Sequence, residues 1–457
     1  MRRNLTCWTA IAITVTVGAA GLAGGNGWAA GRPGGEVPFE LNGASPTPVP
    51  ADSVSGWRGD LDYLYEQIGK LHPDPFFATD ESNFVLLRDW IHEHIPDMSR
   101  GQIILSFMRL VALIGAQGHD GHSGLWPYMS EANFELYPLR LYWFEEGVYV
   151  VDADPQLDLV GAKVESINGR PVADLLEVVE PFVSRDGPYW VRSWAPIHIL
   201  SPQFQQALGF GRSDGSAHFG LSVDGKRREV VLRAVPHADY HDRFPIVLWT
   251  GGLPNAEKPR YLHREDDYYW FEVWPDSRTL YFQYNAVTRE NKAGQSLRDV
   301  LDGLRDVVRS GRVDRLLVDV RSNGGGDNTA YGELLEFLEN DAFFDEPGRL
   351  YLAIGRMTFS AGVNFVTDTE QRTSAILVGE PTGGSPNQYG DATTFTMPYS
   401  GVRARISTLF WQKNAEDARQ HHEPYVLAPV TASDYFAGQD RIREVLSELS
   451  RGVSQAD

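Results

Sequence analysis

From Trp57 apolar residues return at every third or fourth position. Leu61, Leu64, Tyr65, Ile68 and Leu71 lie on one helical face, and His72-Pro73 closes the run. The same period predicts a second helix over 84–95. A third begins at Ser99, a good N-cap residue, and carries Ile103, Phe107, Leu110 and Ile114. It stops at a glycine-punctuated loop that runs from Gly115 to Ser123 and holds His119, Asp120, Gly121 and His122. Between 131 and 235 the period shortens to two, with strands predicted at 139–143 and 148–151 and a helix from Ala173. Beyond 268 strands (279–284, 315–320, 350–354, 374–378) alternate with helices (296–310, 329–338 and one between the last two strands), a pattern that predicts α/β layering.

Within the middle region, Ile167-Asn168-Gly169-Arg170-Pro171-Val172 reads as strand, tight turn and strand, with Asn-Gly supplying the positive φ angles. This run resembles the corresponding turn of a PDZ domain, with an insertion near 183–215; an unrelated β-rich insert is the alternative. The first thirty residues are a different kind of segment. Arg2 and Arg3 precede an uncharged apolar run from Leu5 to Ala23, and small residues lead to Trp28-Ala29-Ala30. A signal peptide over 1–30 and a flexible leader over 31–55 are expected, and hence a secreted or extracytoplasmic protein. The rival reading is an uncleaved anchor, for which the run is short.

The 457-residue chain has room for two or three domains. Its 41 Lys and Arg face 61 Asp and Glu, a net charge of −20 with no basic cluster, which excludes nucleic-acid binding. Cys7 is the single cysteine, so an intramolecular disulfide, a thiolate zinc site and an iron–sulfur cluster are all excluded.

Three segments carry candidate chemistry. Asp319-Val320-Arg321-Ser322-Asn323-Gly324-Gly325-Gly326 follows a buried strand, and its glycines let backbone N–H groups converge as an anion nest. A phosphate is disfavoured because no P-loop lysine follows, which leaves the oxyanion of acyl transfer or a plain turn. Phe359-Ser360-Ala361-Gly362 sits where a strand gives way to a helix, so Ser360 is either an exposed nucleophile or an ordinary N-cap. The Asp120-Gly121-His122-Ser123 run offers a histidine base. His237 with His241, and His421 with His422, are close pairs, yet none forms a HExxH motif and no metal is expected.

In this order the segments resemble the C-terminal processing serine peptidases, the family of the tail-specific proteases and the tricorn core. Gly379-Glu380-Pro381-Thr382-Gly383-Gly384 and Glu423-Pro424 add to the resemblance, which extends from about Trp57 to the C-terminus. It implies a ClpP/crotonase-like α/β spiral catalytic domain (241–457), an N-terminal helical unit with the histidine loop (56–130) and the PDZ-like β-rich insert (131–240). It further implies Ser360 as nucleophile, with the Ala361 N–H and that of Gly325 or Gly326 as oxyanion donors, and peptides or unfolded proteins as substrate with no cofactor. In the tail-specific branch the base is a lysine 25 residues after the serine; that position is Ser385 here, and the next lysine is Lys413. The resemblance is therefore to the tricorn-like branch, with His122 as base, His119 as its rival and Glu416 or Asp417 as the orienting acid. The histidine is expected to titrate near 6–7, nudged upward by the acidic surface.

Two other functions fit the same residues. One is a ligand carrier, with Trp126, Trp143, Trp190, Trp194, Trp270 and Trp411 as candidate walls. The other is an esterase or amidase using the same Ser–His chemistry.

Overall fold

The computed structural model describes residues 47–128, 131–244, 258–264 and 266–453. The expected signal peptide, and the expected leader up to residue 46, lie outside the described residues. The N-terminal helices are α1 (Val54–Leu71), α2 (Glu81–His94) and α3 (Arg100–Ala112). His72 caps α1 in extended conformation ahead of Pro73, and Ser99 starts α3 through a reciprocal capping box with Gln102. The histidine loop leads from α3 to the short strand β1 (Gly124–Leu125).

An antiparallel sheet follows, built from β2 (Leu139–Phe144), β3 (Gly147–Ala153), β4 (Lys163–Ile167), the short β5 (Arg170–Pro171), β6 (Ser216–Val223) and β7 (Lys226–Arg233). Asn168 and Gly169 take φ of 50° and 79°, so the β4–β5 turn forms with the residues that tolerate it. Helices α4 (Val172–Val179), α5 (Pro188–His198) and α6 (Pro202–Ala207) fill the β5–β6 connection, and α7 (His237–Arg243) follows β7. The N-terminal helices and this sheet share one hydrophobic core, which also takes in Phe359 and Ile406 from the C-terminal half.

The C-terminal half is organised on a six-stranded sheet in the order β17-β12-β11-β10-β9-β8. Its strands are β8 (Tyr269–Trp274), β9 (Thr279–Tyr284), β10 (Arg315–Asp319), β11 (Leu350–Ile354), β12 (Ile376–Gly379) and β17 (Val426–Leu427). All neighbours are parallel except β8, which pairs antiparallel with β9. Strands β10 and β11 are buried at every position; β11 reads as an apolar run, and β10 carries Leu316, Leu317 and Val318 between the buried charges of Arg315 and Asp319, as suits parallel strands covered on both faces. Helices α8 (Leu297–Arg309), α9 (Gly332–Asn340) and α10 (Ala361–Arg372) cover one face. On the other face, α12 (Arg441–Val453) contributes Ile442 and Leu446.

Helix α9 starts three residues later than its pattern predicts. Asp327 draws the N–H and hydroxyl of Thr329 into a local turn that competes with the helix. Two small antiparallel sheets lie between the halves: β13 (Asn387–Gly390) with β16 (Leu409–Gln412), and β1 with β15 (Arg403–Ile406) and β14 (Thr393–Thr396). The short α11 (Ala432–Phe436) packs on the insert sheet through Tyr435 and Phe144. The architecture is thus mixed α/β, and the C-terminal ends of β10 and β11 deliver the glycine nest and the Ser360 turn side by side.

Candidate active site

Ser360 occupies the N-cap position of α10 but does not act as a cap. Its φ and ψ are 53° and −128°, and its side chain makes no capping hydrogen bond. A β-carbon at positive φ costs roughly 1–3 kcal/mol, and such strain persists only where the surroundings enforce it. Here the enforcement is explicit. Thr358 Oγ1 donates to Val320 O (2.7 Å) and accepts from Gly355 N, while Phe359 N donates to Asn323 O (3.0 Å), so the turn is sewn to the nest. Gln388 Nε2 holds the Ser360 carbonyl at 3.0 Å. Ala361 is the first helical residue, and its N–H, like those of any first turn, has no partner within the helix.

The nest closes against this turn. A β-carbon on Gly325 (φ 110°) would lie 3.0 Å from both Ser360 Oγ and Ala361 N, and 2.6 Å from Ser360 Cβ. Glycine is required there both for its φ and for room at the hydroxyl. The two expected oxyanion donors are not equivalent. Gly325 N–H donates to Asn323 Oδ1 at 2.9 Å. At Gly326 the bridge to Val287 uses the Gly325 carbonyl and the Asp327 N–H, and so does not engage the Gly326 N–H.

The histidine loop is held from many directions. Asp120, fully buried, accepts the N–H groups of His122 (3.1 Å) and Ser123 (2.9 Å) and the Ser407 hydroxyl (2.7 Å) through Oδ1. Its Oδ2 lies 3.3 Å from His72 Nε2. Asp186, also fully buried, accepts from Gly121 N (2.6 Å) and Ser385 N (3.2 Å). Burial pushes its carboxyl well above the usual range, and Asp120 adds to the push.

His122 is buried and stacks on Phe359, ring centroids 4.4 Å apart. A β-carbon on Gly390 of β13 would come within 3.6 Å of the ring. His122 and Ser360 thus flank Phe359, and β13 reaches both through Gly390 and Gln388. Burial, and secondarily the Arg405 cation, lower the His122 pKa to about 4; Asp120 and the Tyr389 main chain pull the other way. The ring is neutral at pH 7, the form that accepts a proton. This reverses the upward nudge expected from the acidic surface, because local desolvation outweighs diffuse charge.

The expected orienting acids are not at His122. Asp417 pairs with Arg419 at 2.7 Å, which also binds Glu370, and Glu416 joins a local turn through its N–H on Asn414 Oδ1. The carboxylate nearest in effect to His122 is Asp120, and His122 Nδ1 is buried without a hydrogen bond. The rival His119 has its Nδ1 at 2.8 Å from Asn387 O and 3.2 Å from Ser385 Oγ. Ser385, at the position of the tail-specific lysine, is fully buried and donates to Asn387 O. Lys413 is committed elsewhere, at 2.8 Å from Asp368. Among the described residues no group of three His, Cys, Asp or Glu side chains converges to hold a metal ion, and no helix is long and apolar enough to cross a membrane.

Sequence reasoning did not single out Asp186, Gln388 or Arg405. Each is a lone polar residue in a run with no periodic or motif signal, and each acquires its role from distant chain.

No family model and no curated protein matches this sequence. Among solved structures, mature CPAF complexed with lactacystin superposes with a TM-score of 0.61 at 14% identity, over 89% of this chain and 99% of that one. This chain has the fold of mature CPAF. A second structure of mature CPAF gives a TM-score of 0.60 at 14% identity, over 89% and 98% of the two chains. The photosystem II D1 C-terminal processing protease gives 0.41 at 13% identity, over 84% and 98%.

Proposed function

We propose that this chain is an exported serine peptidase that hydrolyses peptide bonds in peptides or unfolded proteins. The observation that carries the reading is Ser360 itself. It is a strained serine at a strand-to-helix turn, with its hydroxyl unused as a cap, facing a glycine that leaves room at its Oγ. In the proposed reaction Ser360 Oγ attacks the substrate carbonyl carbon, and neutral His122 takes the hydroxyl proton. Ala361 N–H, with Gly326 N–H as second donor, stabilises the oxyanion. The tetrahedral species then collapses, the C–N bond breaks, and His122 returns its proton to the departing amine. Water releases the acyl group by the reverse sequence of proton transfers.

The spiral catalytic domain is proposed from the parallel sheet with α8–α10 packed on one face, and the PDZ-like module from the β2–β7 sheet with its Asn168-Gly169 turn. Export is proposed from Arg2, Arg3 and the apolar run behind them; N-terminal sequencing of secreted protein should find residues 1–30 missing.

A carrier function on the same fold has one observation in its favour. An open recess lies between the insert sheet and the C-terminal ends of β10 and β11, lined by Tyr142, Tyr261, Leu262 and Tyr435 together with Arg321, Arg356 and Glu380. A fluorophosphonate probe, with peptide hydrolysis measured in parallel, separates the two. The peptidase reading expects an adduct on Ser360 and loss of hydrolysis in Ser360→Ala. Folded protein that neither reacts nor cleaves would favour the carrier.

A further inference from the structure

Beside the histidine loop lie two neighbouring recesses lined by aromatic, aliphatic and small residues, with Arg140 in the second. The first, open to solvent, is lined by Gly121, Ser123, Gly124, Trp126, Trp190 and Trp194, with apolar residues of α3 and the 182–184 segment behind them. The second shares Trp194 and reaches Leu141, Phe244 and Met357. Trp194 is therefore a wall common to both recesses. The rings form a line back to the reacting groups. Trp126 meets Trp194 edge-on at 4.8 Å, Trp190 lies 5.6 Å from Trp194, and Trp190 stacks on Phe359 at 3.8 Å and 9°. Phe359 in turn stacks on His122 and directly precedes Ser360.

The first recess contains no Asp, Glu, Lys or Arg. Its one titratable residue, His198, is bonded to Tyr128 OH at 2.8 Å and held neutral by burial, with its pKa lowered to about 3. A charged side chain entering would lose its water and find no partner, whereas a large apolar one would exchange water for ring faces. One polar atom is left over. Trp194 Nε1 is buried with no hydrogen-bond partner, an N–H donor that an occupant's carbonyl could satisfy.

We propose that this recess is the specificity pocket of the site. It takes a large apolar or aromatic side chain on the acyl side of the scissile bond, and Trp194 Nε1 donates to a main-chain carbonyl of the same substrate. The proposal rests on the peptidase reading and names its substrate class. Of the six tryptophans with candidate roles as ligand walls, it uses Trp126, Trp190 and Trp194.

The test uses peptidyl-coumarin amides that differ only in the residue before the coumarin: Phe, Ala or Lys. The full chain should show a kcat/KM for Phe at least about 30-fold above Ala, with Lys lowest, the range that burying a benzyl group supplies. Gly124→Leu, which fills the recess, should bring the Phe-to-Ala ratio close to one. Trp194→Phe keeps the apolar wall and removes the N–H. It should lower kcat/KM about five- to tenfold for Phe and Ala alike, as expected for a bond to the main chain. Melting temperatures of both variants show whether they are folded. Binding of the matching peptide amides to Ser360→Ala, read by tryptophan emission, should show the same order.

Ser360-dependent cleavage without preference for Phe, or with a ratio untouched by Gly124→Leu, overturns the pocket and leaves the peptidase reading standing. Preferential binding of the Phe peptide with no cleavage by the unmodified chain overturns the peptidase reading and keeps the pocket. Neither cleavage nor preferential binding overturns both.

Discussion

The serine turn and the histidine loop meet at Phe359 but are held in contrasting ways. The turn is enforced by adjacent stretches of one sheet: Thr358 and Phe359 bond to Val320 and Asn323, which lie just past the end of the neighbouring strand, and Gly355 N–H donates to Thr358 Oγ1. The loop has no such scaffold. It is held by Asp186 from the segment before α5, by Ser407 after β15 and by His72 at the end of α1, while β13 bonds to His119. The nucleophile is thus a local product of strand, glycine and helix. The base is an assembled feature, correct only when four distant segments are in place. Damage far from the site should therefore spare Ser360 and displace His122.

The largest effect that breaks this contrast should come from Gly325→Ala. Its β-carbon would collide with Ser360 and sit at a φ of 110°, so kcat should fall by at least about 10²-fold with a stability loss of about 1–3 kcal/mol. Steady-state kinetics with a thermal melt would check it; an active variant would mean that the nest does not face the reacting carbonyl.

Next in size is Asp186→Ala, which leaves the Gly121 and Ser385 N–H groups buried and unpaired. Stability should drop by about 2–4 kcal/mol, since each orphaned donor costs about 1–3 kcal/mol. Fluorophosphonate labelling of the fraction still folded should slow while the Ser360 turn persists.

A smaller shift is expected with pH. The His122 pKa of about 4 places the acid limb of kcat/KM near pH 4, with a plateau above it. Arg405→Leu removes a cation that disfavours the charged ring, so the limb should move to higher pH. The same group affects stability. Its folded pKa lies below the ordinary value of 6.5, so the stability it supports is fully present above pH 6.5 and is lost as pH falls toward 4. Equilibrium unfolding at several pH values should show that loss, on the order of 3 kcal/mol for this ring, and a smaller one in Arg405→Leu.

The smallest effect belongs to Ser385→Ala. A hydroxyl bonded to His119 and Asn387 can be lost with less than about tenfold change in kcat, because it cannot serve as a base. A collapse as complete as that of Ser360→Ala would make His119 and Ser385 the working pair.

The same contrast explains what could be read from the chain alone. The strands 279–284 and 350–354, the Ser99 cap and the Asn168-Gly169 turn follow from short-range pattern, and so do the nest and the serine turn. His122 is legible as a candidate base, from its loop and from the family resemblance, with His119 as rival. The environment of His122 is not, because Arg405 and Gly390 are remote in sequence and become neighbours only through β15 and β13. Position along the chain points to Glu416 or Asp417 as the orienting acid, yet Arg419 takes the Asp417 carboxylate, a pairing that spacing gives no means to foresee. The neutral, buried state of His122 was likewise invisible: net charge describes a surface and not an interior.

In the proposed mechanism Ser360 is the nucleophile and His122 its base. The most direct measurement is the second-order rate constant for fluorophosphonate modification, with the adduct located by peptide mass, in the unmodified chain and in folded His122→Ala at pH 7. The adduct should be confined to Ser360 and the rate should be at least about 10³-fold lower in the variant, since nucleophile and base act as one unit. An adduct elsewhere, or an undiminished rate in folded His122→Ala, would contradict that mechanism.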